Sequence, residues 1–323
     1  MQIKKIAINI IKILVVIAAY FFIIFKIIKS PDLEYIPHFF SKWNLFDLIL
    51  FLITITLMLL NWSIETIKWQ NILPSKMRVG FIKSFKAVLA GITVGTITPN
   101  RIGEFGGRIL MLKNEHRKKA AAYTIIADFS QFITTICFGV IAFSIIGHKV
   151  ISDLVGTTNY SVLILIIGIC LAILSLLIYF NISFAKRILF KFKKLSKYKA
   201  AISEITDIKK QLLLKTLLLS AIRFIIFIIQ FYLILNIFDI NISPANTLLA
   251  VSNIYFATTI IPNIPFGEIG IRSSFSIIFL GLFSDSITAI VIASLLIYII
   301  NIAVPALFGG VFLLKLNNNN HGK

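Results

Sequence analysis

Two stretches of the sequence carry the same uncommon residue types at nearly the same spacing. Residues 96–108 read TITPNRIGEFGGR, and residues 259–272 read TIIPNIPFGEIGIR. Both follow the pattern T-I-x-P-N, two or three further residues, and then G-E-x-G-x-R. The matched residues are Thr96, Ile97, Pro99, Asn100, Gly103, Glu104, Gly106 and Arg108 in the first stretch, and Thr259, Ile260, Pro262, Asn263, Gly267, Glu268, Gly270 and Arg272 in the second. These matches indicate an internal repeat.

The residue types of this repeat are suited to holding an anion. Proline stops an incoming helix, and glycine lets the backbone turn and start a new one. The new helix begins with free N–H groups at the turn, which favours a negative ligand there. Arg101, Arg108 and Arg272 add charge-assisted donors that match a phosphate. Glu104 and Glu268 would hold these arginines in place or exchange protons.

The alternative for the acidic and basic residues is purely structural. Glu104 and Arg108 stand four residues apart, as do Glu268 and Arg272. Such i, i+4 pairs stabilise an exposed helix. At membrane depth this alternative weakens, because ionised side chains there are costly and usually functional.

The elements that must position these residues are membrane helices. Hydrophobic residues make up 58% of the 323-residue chain, and they are concentrated in long blocks. The block from Ser161 to Phe180 contains no charged residue and is long enough to cross a hydrocarbon core of roughly 30 Å. A period-2 alternation is absent, which argues against a barrel. We therefore predict an all-α, polytopic integral membrane protein.

Six full spans and two shorter apolar segments follow from the hydropathy. The spans are predicted near 6–28, 45–62, 120–147, 161–180, 211–236 and 287–314, and the shorter segments near 84–98 and 246–261. Each shorter segment leads into one copy of the repeat. We interpret both as re-entrant or broken helical hairpins. The alternative is that they are ordinary spans, which gives eight or more crossings.

The distribution of charge predicts the sidedness. The formal net charge is +19, which in a soluble protein would suggest nucleic acid. Here the basic residues lie in short loops, so we predict anionic lipid headgroups and no nucleic acid as partners. Loops 63–86, 101–119 and 186–199 are basic and predicted to be cytoplasmic, whereas 148–160 and 237–246 are predicted to lie outside. Both termini are then cytoplasmic, and the two hairpins enter from opposite faces as an inverted repeat.

Several single residues complete the predicted site and architecture. Asp128 lies inside a span and is expected in a polar cavity or an ion pair. Arg223 also lies inside a span, and snorkelling towards the interface is the interpretation we favour for it. Trp69 is predicted to be an interface anchor. Three polar residues are predicted to hydrogen-bond between helices, namely Gln230, Asn253 and Asn301.

The domain organisation is predicted to be simple. Residues 1–316 form a single transmembrane domain, with a basic amphipathic segment at 186–210 on the inner leaflet and a disordered tail at 317–323. The sequence contains no Walker A motif, no dinucleotide-binding glycine fingerprint and no zinc-type His/Cys cluster, so we predict no cofactor and no metal.

The two motifs resemble those of the lysylphosphatidylglycerol synthase transmembrane family. The early family motif, T-P-x-R-x-G-E, falls on Thr98, Pro99, Arg101, Gly103 and Glu104, and the late one falls on Pro262, Gly267, Gly270 and Arg272. The chain departs from the late motif in two places. Glu268 stands where glycine is typical, and Ser273 stands where glutamate is typical.

The resemblance implies translocation of a lipid across the cytoplasmic membrane. In the synthases the aminoacyl transfer belongs to a separate soluble domain, which is not expected in this chain. Our leading hypothesis is a flippase for an anionic phospholipid or a lipid-linked precursor. Arg101 and Arg108 would bind the headgroup near the cytoplasmic side, and Arg272 near the outer side. The alternatives are a membrane-embedded enzyme acting on lipid or polyprenyl phosphates, and a partner subunit of a separate lipid synthase or glycosyltransferase.

Overall fold

The computed structural model describes residues 43–147, 150, 159–181, 208–262 and 267–320, and the regular elements in these ranges are helices. They are α1 (Leu45–Ile72), α2 (Phe81–Thr96), α3 (Gly103–Leu110), α4 (Asn114–Ala142), α5 (Asn159–Phe180), α6 (Lys210–Ile237), α7 (Pro244–Ile260), α8 (Gly267–Leu280), α9 (Ile287–Tyr298) and α10 (Val304–Asn320). The predicted first span, most of the basic segment 186–210, and Asn263 lie outside the described residues.

Five helical stretches are long and apolar enough to cross a membrane, namely Leu45–Ile72, Asn114–Gly147, Val162–Phe180, Lys210–Ile237 and Ile287–Leu314. These stretches confirm the five predicted spans that fall on described residues. The main difference is in α1, which runs ten residues beyond its predicted end at residue 62 and carries charged residues with it. At the other end of the chain, α10 continues to Asn320, so its backbone includes asparagines that were assigned to the disordered tail.

The two predicted helical hairpins are present as α2–α3 and α7–α8. The 16 residues of α2 span about 24 Å, and the 8 residues of α3 span about 12 Å, at 1.5 Å per residue. Both are shorter than a hydrocarbon core of about 30 Å. The two helices of each hairpin pack directly against each other. Each hairpin therefore turns back beside itself instead of continuing in one direction.

The repeat seen in the motifs extends to whole helices. Each half contains a long helix, a hairpin and a second long stretch, which are α1, α2–α3 and α4 in one half and α6, α7–α8 and α9–α10 in the other. The second long stretches each contain a π-helical segment, at Phe143–Gly147 and at Ile299–Ala303. Helices of one half pack against helices of the other in equivalent pairs. The first long helices α1 and α6 pack on each other, and the second long stretch of each half packs on the first hairpin helix of the other, α4 on α7 and α10 on α2.

Glycines allow helices of the two halves to pack closely against each other. A Cβ added at Gly139 of α4 would overlap the Phe256 side chain of α7, and one added at Gly309 of α10 would overlap the Leu89 carbonyl oxygen of α2. The two contacts lie between equivalent pairs of helices, α4 with α7 and α10 with α2. Within the membrane, such small residues let backbones pack closely, which is a principal source of helix association there.

The Gly309 contact predicts that alanine variants at two adjacent glycines differ in stability. Gly309→Ala should lower the unfolding temperature of the detergent-purified protein, because its new methyl group meets the backbone of Leu89, and overpacking typically costs about 1–3 kcal/mol. Gly310→Ala is the matched control, since its nearest neighbour would be Thr93 Cγ2 at 3.7 Å, an ordinary contact. Equal melting curves for the two variants would contradict the packing described here.

The loops between the helices allow the predicted sidedness to be measured. Lys118, near the start of α4, and Asn241, between α6 and α7, are both exposed. In a variant that lacks Cys137 and Cys170, we expect Lys118→Cys to react with a membrane-impermeant maleimide only from the cytoplasmic side, and Asn241→Cys only from the outside. Reaction of both cysteines from one side would show that the positive-inside assignment is wrong.

Candidate functional site

A cavity of about 340 Å³ lies between the two hairpins and the long helices α1, α4 and α6. Its charged lining residues are Arg101, Glu104, Arg108, Asp128, Arg223 and Arg272. Five of the six side chains predicted to bind a substrate are among them. The sixth, Glu268, forms ion pairs with Arg101 and Arg272. The structure thus gathers the predicted site residues from both copies of the repeat into one place.

The tip of the first hairpin is a tight turn that carries Arg101. The 3-10 turn Pro99–Arg101 follows α2, and Asn100 and Arg101 have positive φ values of 50° and 55°. The Thr98 hydroxyl accepts a hydrogen bond from the Gly103 N–H at 2.8 Å. A Cβ on Gly103 would lie 2.6 Å from that same hydroxyl oxygen, so only glycine fits. The turn therefore starts α3 immediately and leaves Arg101 at the cavity.

Glycines also bring α2 and α3 together along their length. A Cβ on Gly91 would lie 2.7 Å from Arg108 Cγ, and one on Gly95 would lie 3.1 Å from Glu104 Oε1. The small residues Ala87, Gly91 and Gly95, spaced four apart in α2, therefore form a packing surface. It presses α2 against the side chains that enter the cavity and fixes where they lie.

A carboxylate on α1 lies at the centre of the buried charges. Glu65 is 1% exposed and forms ion pairs with Lys68 at 2.8 Å, with Arg108 at 2.8 Å and with Arg223. Arg108 also pairs with Asp128 at 3.1 Å and with Glu104 at 3.4 Å. Because these groups are removed from water, each charge depends on its partners. Glu65 thereby ties together α1, α3 and α6.

Arg223 is buried, so the snorkelling interpretation is wrong. Its side chain donates to the Asn61 Oδ1 at 2.6 Å, to the Gln131 Oε1 at 3.2 Å and to Glu65. Its guanidinium also lies over the Trp62 ring, 5.2 Å from the centroid. Arginine snorkels when water is within its reach, but here the bundle itself supplies partners for the charge.

A second group of ion pairs joins the two hairpins. Arg101 Nε lies 2.6 Å from Glu104, on its own hairpin, and Arg101 Nη1 lies 3.7 Å from Glu268 Oε1, on the other hairpin. The same oxygen of Glu268 also pairs with Arg272. The Arg272 guanidinium lies over the Tyr255 ring at 5.2 Å, which adds a cation–π contact.

The predicted division of the arginines between the two faces of the membrane disagrees with the structure. Arg101 and Arg108 were assigned to a cytoplasmic-side site and Arg272 to an outer one, yet all three line one cavity. The hairpins bring their tips together, and Glu268 links Arg101 with Arg272. A ligand in the cavity would face both copies of the repeat at once.

The sequence reasoning missed Glu65 and Lys68 as members of the site. With Asn61 they occur at i, i+4 and i+7, which places them on one face of α1. Continuing the helical period beyond residue 62 would have found them. The prediction that Trp69 anchors the chain at the membrane interface is also wrong, since its side chain is fully buried and donates to the Thr124 hydroxyl at 2.8 Å.

Of the three predicted interhelical hydrogen-bonding residues, one acts as expected. The Gln230 amide donates across to the Thr54 carbonyl at 3.0 Å. The amide groups of Asn253 and Asn301 instead donate to Leu249 and Ile297, four residues earlier in their own helical segments. The main-chain carbonyl of Asn301, in the π-helical segment, accepts from the Trp62 indole at 3.2 Å, so this residue contacts another helix through its backbone and not through its side chain.

These features define the class of the protein: a polytopic helical membrane protein whose two short hairpins enclose a charged cavity. The family model described as the lysylphosphatidylglycerol synthase TM region matches residues 9–309, and the chain belongs to this family. The resemblance found in the two motifs is thereby confirmed. A comparison with curated proteins gives no match.

The buried Glu65 cluster predicts a large loss of stability on a near-isosteric change. Glu65→Gln would leave Lys68, Arg108 and Arg223 without the carboxylate they share. Breaking a buried ion pair in this way typically costs about 3–5 kcal/mol, so the unfolding temperature in detergent should fall strongly. Glu115→Gln is the control, because Glu115 is 67% exposed. Unfolding of Glu65→Gln at the control temperature would show that the cluster does not stabilise the bundle.

Proposed function

We propose that this protein moves an anionic membrane lipid, or a lipid-linked precursor, across the cell membrane. The observation that carries the proposal is the cavity itself. It is lined by Arg101, Arg108, Arg223 and Arg272 and lies among candidate membrane-crossing helices. Arginine is the side chain best matched to a phosphate, because its planar fork donates two parallel hydrogen bonds.

The balance of charge in and around the cavity favours an anion. The ion-paired network contains five cationic side chains, which are Lys68, Arg101, Arg108, Arg223 and Arg272, and four carboxylates, which are Glu65, Glu104, Asp128 and Glu268. Among the described residues, one positive charge is therefore in excess. In a medium of low dielectric constant, even one uncompensated charge is a strong attraction for a counter-ion.

The size and rim of the cavity fit a lipid headgroup. A volume of about 340 Å³ is near the lower end for small-molecule sites, so it suits a headgroup and excludes two long acyl chains. Phe132 lines the cavity and is 40% exposed, so the cavity has an accessible apolar side chain beside its charged ones. This apolar edge would let the acyl chains remain in the bilayer while the headgroup is bound.

The proposed partners and location follow from the same chemistry. Membrane lipids are the ligands, the cell membrane is the location, and both termini face the cytoplasm. On this basis the protein would act as a transporter and would catalyse no reaction of its own. A separately encoded synthase or glycosyltransferase as a partner remains a prediction.

Reconstitution into liposomes tests the proposed transport. We expect the wild-type protein to move fluorescently labelled phosphatidylglycerol to the outer leaflet, measured as the fraction quenched by an impermeant reductant. Arg101→Ala with Glu104→Ala removes the ion pair at the tip of the first hairpin. The rate should fall about tenfold or more, since a hydrogen bond to a charged group contributes about 1.5–3 kcal/mol.

The control is Lys118→Gln, which removes an exposed positive charge outside the cavity. It should move lipid at the wild-type rate. Equal rates for the wild type and the double variant would refute the assignment of the cavity to lipid transport. Chemical conversion of the lipid by the purified protein would support the enzyme alternative instead.

A further inference from the structure

One carboxylate oxygen joins an arginine from each hairpin. Glu268 Oε1 pairs with Arg272, four residues later in α8, and lies 3.7 Å from Arg101 Nη1 at the tip of the first hairpin. Two guanidinium groups that converge on one oxygen form the arrangement in which arginines bind a phosphate oxygen. Glu268 thus supplies from within the chain the negative charge that a ligand would bring.

Arg108 is in a different situation from these two arginines. Its charge already faces three carboxylates, those of Glu65, Glu104 and Asp128, and its side chain is only 2% exposed. Its Nε has no hydrogen-bond partner among the described residues, but its positive charge is already balanced by these three carboxylates. Arg108 is therefore held in place as part of the framework, even though it is the repeat equivalent of Arg272.

The surroundings of Arg272 contain polar groups that an anion could satisfy. Arg272 is 7% exposed and lines the cavity, and its Nε has no hydrogen-bond partner in the described part of the chain. The Tyr255 hydroxyl, on a ring beneath the guanidinium, also lacks one within those residues. Buried donors without acceptors are costly, so an incoming phosphate oxygen would gain contacts that Glu268 alone does not provide.

We propose that Glu268 is an internal stand-in for the substrate anion, and that a lipid phosphate binds between Arg101 and Arg272 by displacing its carboxylate. This inference deepens the proposed transport function and rests on it for the identity of the ligand. The exchange leaves the number of ion pairs made by Arg101 and Arg272 unchanged. Arg272 is therefore never left without an anion, because either Glu268 or the headgroup neutralises it, and Arg101 also keeps its ion pair with Glu104.

The exchange has a consequence for binding strength. In the wild-type protein the phosphate must compete with a carboxylate that is attached to the same helix turn as Arg272. Removing the negative charge of Glu268 removes this competitor. The ligand then faces Arg272, the positive N-terminal end of α8, and Arg101, which still pairs with Glu104. Glu268→Gln should therefore bind anionic lipid more tightly than the wild type does.

Titration calorimetry on the purified full chain in detergent measures this effect. The probe is dihexanoyl phosphatidylglycerol, with inorganic phosphate as a second probe. We expect Glu268→Gln to lower the dissociation constant of the lipid about five- to tenfold relative to the wild type. The same change in an Arg272→Gln background should give no gain, because the arginine that Glu268 competes for is gone.

Two controls keep the result interpretable. Asp285→Asn removes an exposed carboxylate just after α8 and should leave lipid binding unchanged. If Glu268→Gln does not give a monodisperse protein, Glu268→Ser removes the same charge at a helix start, where serine is well tolerated. It should tighten binding in the same direction.

The inference is overturned if Glu268→Gln binds the lipid no more tightly than the wild type, or if its gain survives in Arg272→Gln. Tighter lipid binding through Arg272 supports it even if reconstituted wild-type protein fails to move lipid, in which case only the transport proposal is lost. An equal gain with inorganic phosphate also supports the anion site, and it identifies a free anion as the ligand in place of a lipid.

Discussion

The rest of the structure depends on the ion pairs that the buried carboxylate of Glu65 makes with Lys68, Arg108 and Arg223. Ionised groups deep in a helical bundle are stable only if they neutralise one another. This requirement fixes α1 against the first hairpin through Arg108 and against α6 through Arg223. The two halves of the repeat are thus joined at their centre by charge, and the cavity forms beside that junction.

Close backbone packing makes this charge cluster possible. The glycines of α2 let α3 lie directly against it, so that Glu104 and Arg108 emerge next to α1 and α4. Short hairpins of this kind place helix ends and charged side chains inside the bundle, where a continuous span would place apolar ones. The charged residues in turn form ion pairs with one another. The cavity lining itself contains four arginines and two carboxylates, so positive charge is in excess there.

The equivalent arginines of the two repeat copies have different partners. In the first copy, Arg108 faces carboxylates from three helices. In the second copy, Arg272 faces Glu268 and the rings of Tyr255 and Tyr298. The same motif therefore places its arginine among several carboxylates in one half of the bundle, and beside one carboxylate and two aromatic rings in the other.

Hydropathy and motif spacing were enough to predict the helical membrane class, the spans that the structure describes, the two hairpins and most of the charged side chains that line the cavity. Hydropathy and residue spacing are local properties, and each helix must satisfy its own backbone in the bilayer. The pairing of the charges depends on how the helices pack. The sequence placed Glu65 and Lys68 in a cytoplasmic loop and made Arg223 a snorkelling residue, because the interhelical partners of these residues are distant in sequence. The ion pairs of Arg101 and Arg272 with Glu268 could not be predicted for the same reason, since they depend on where the two hairpin tips meet in space.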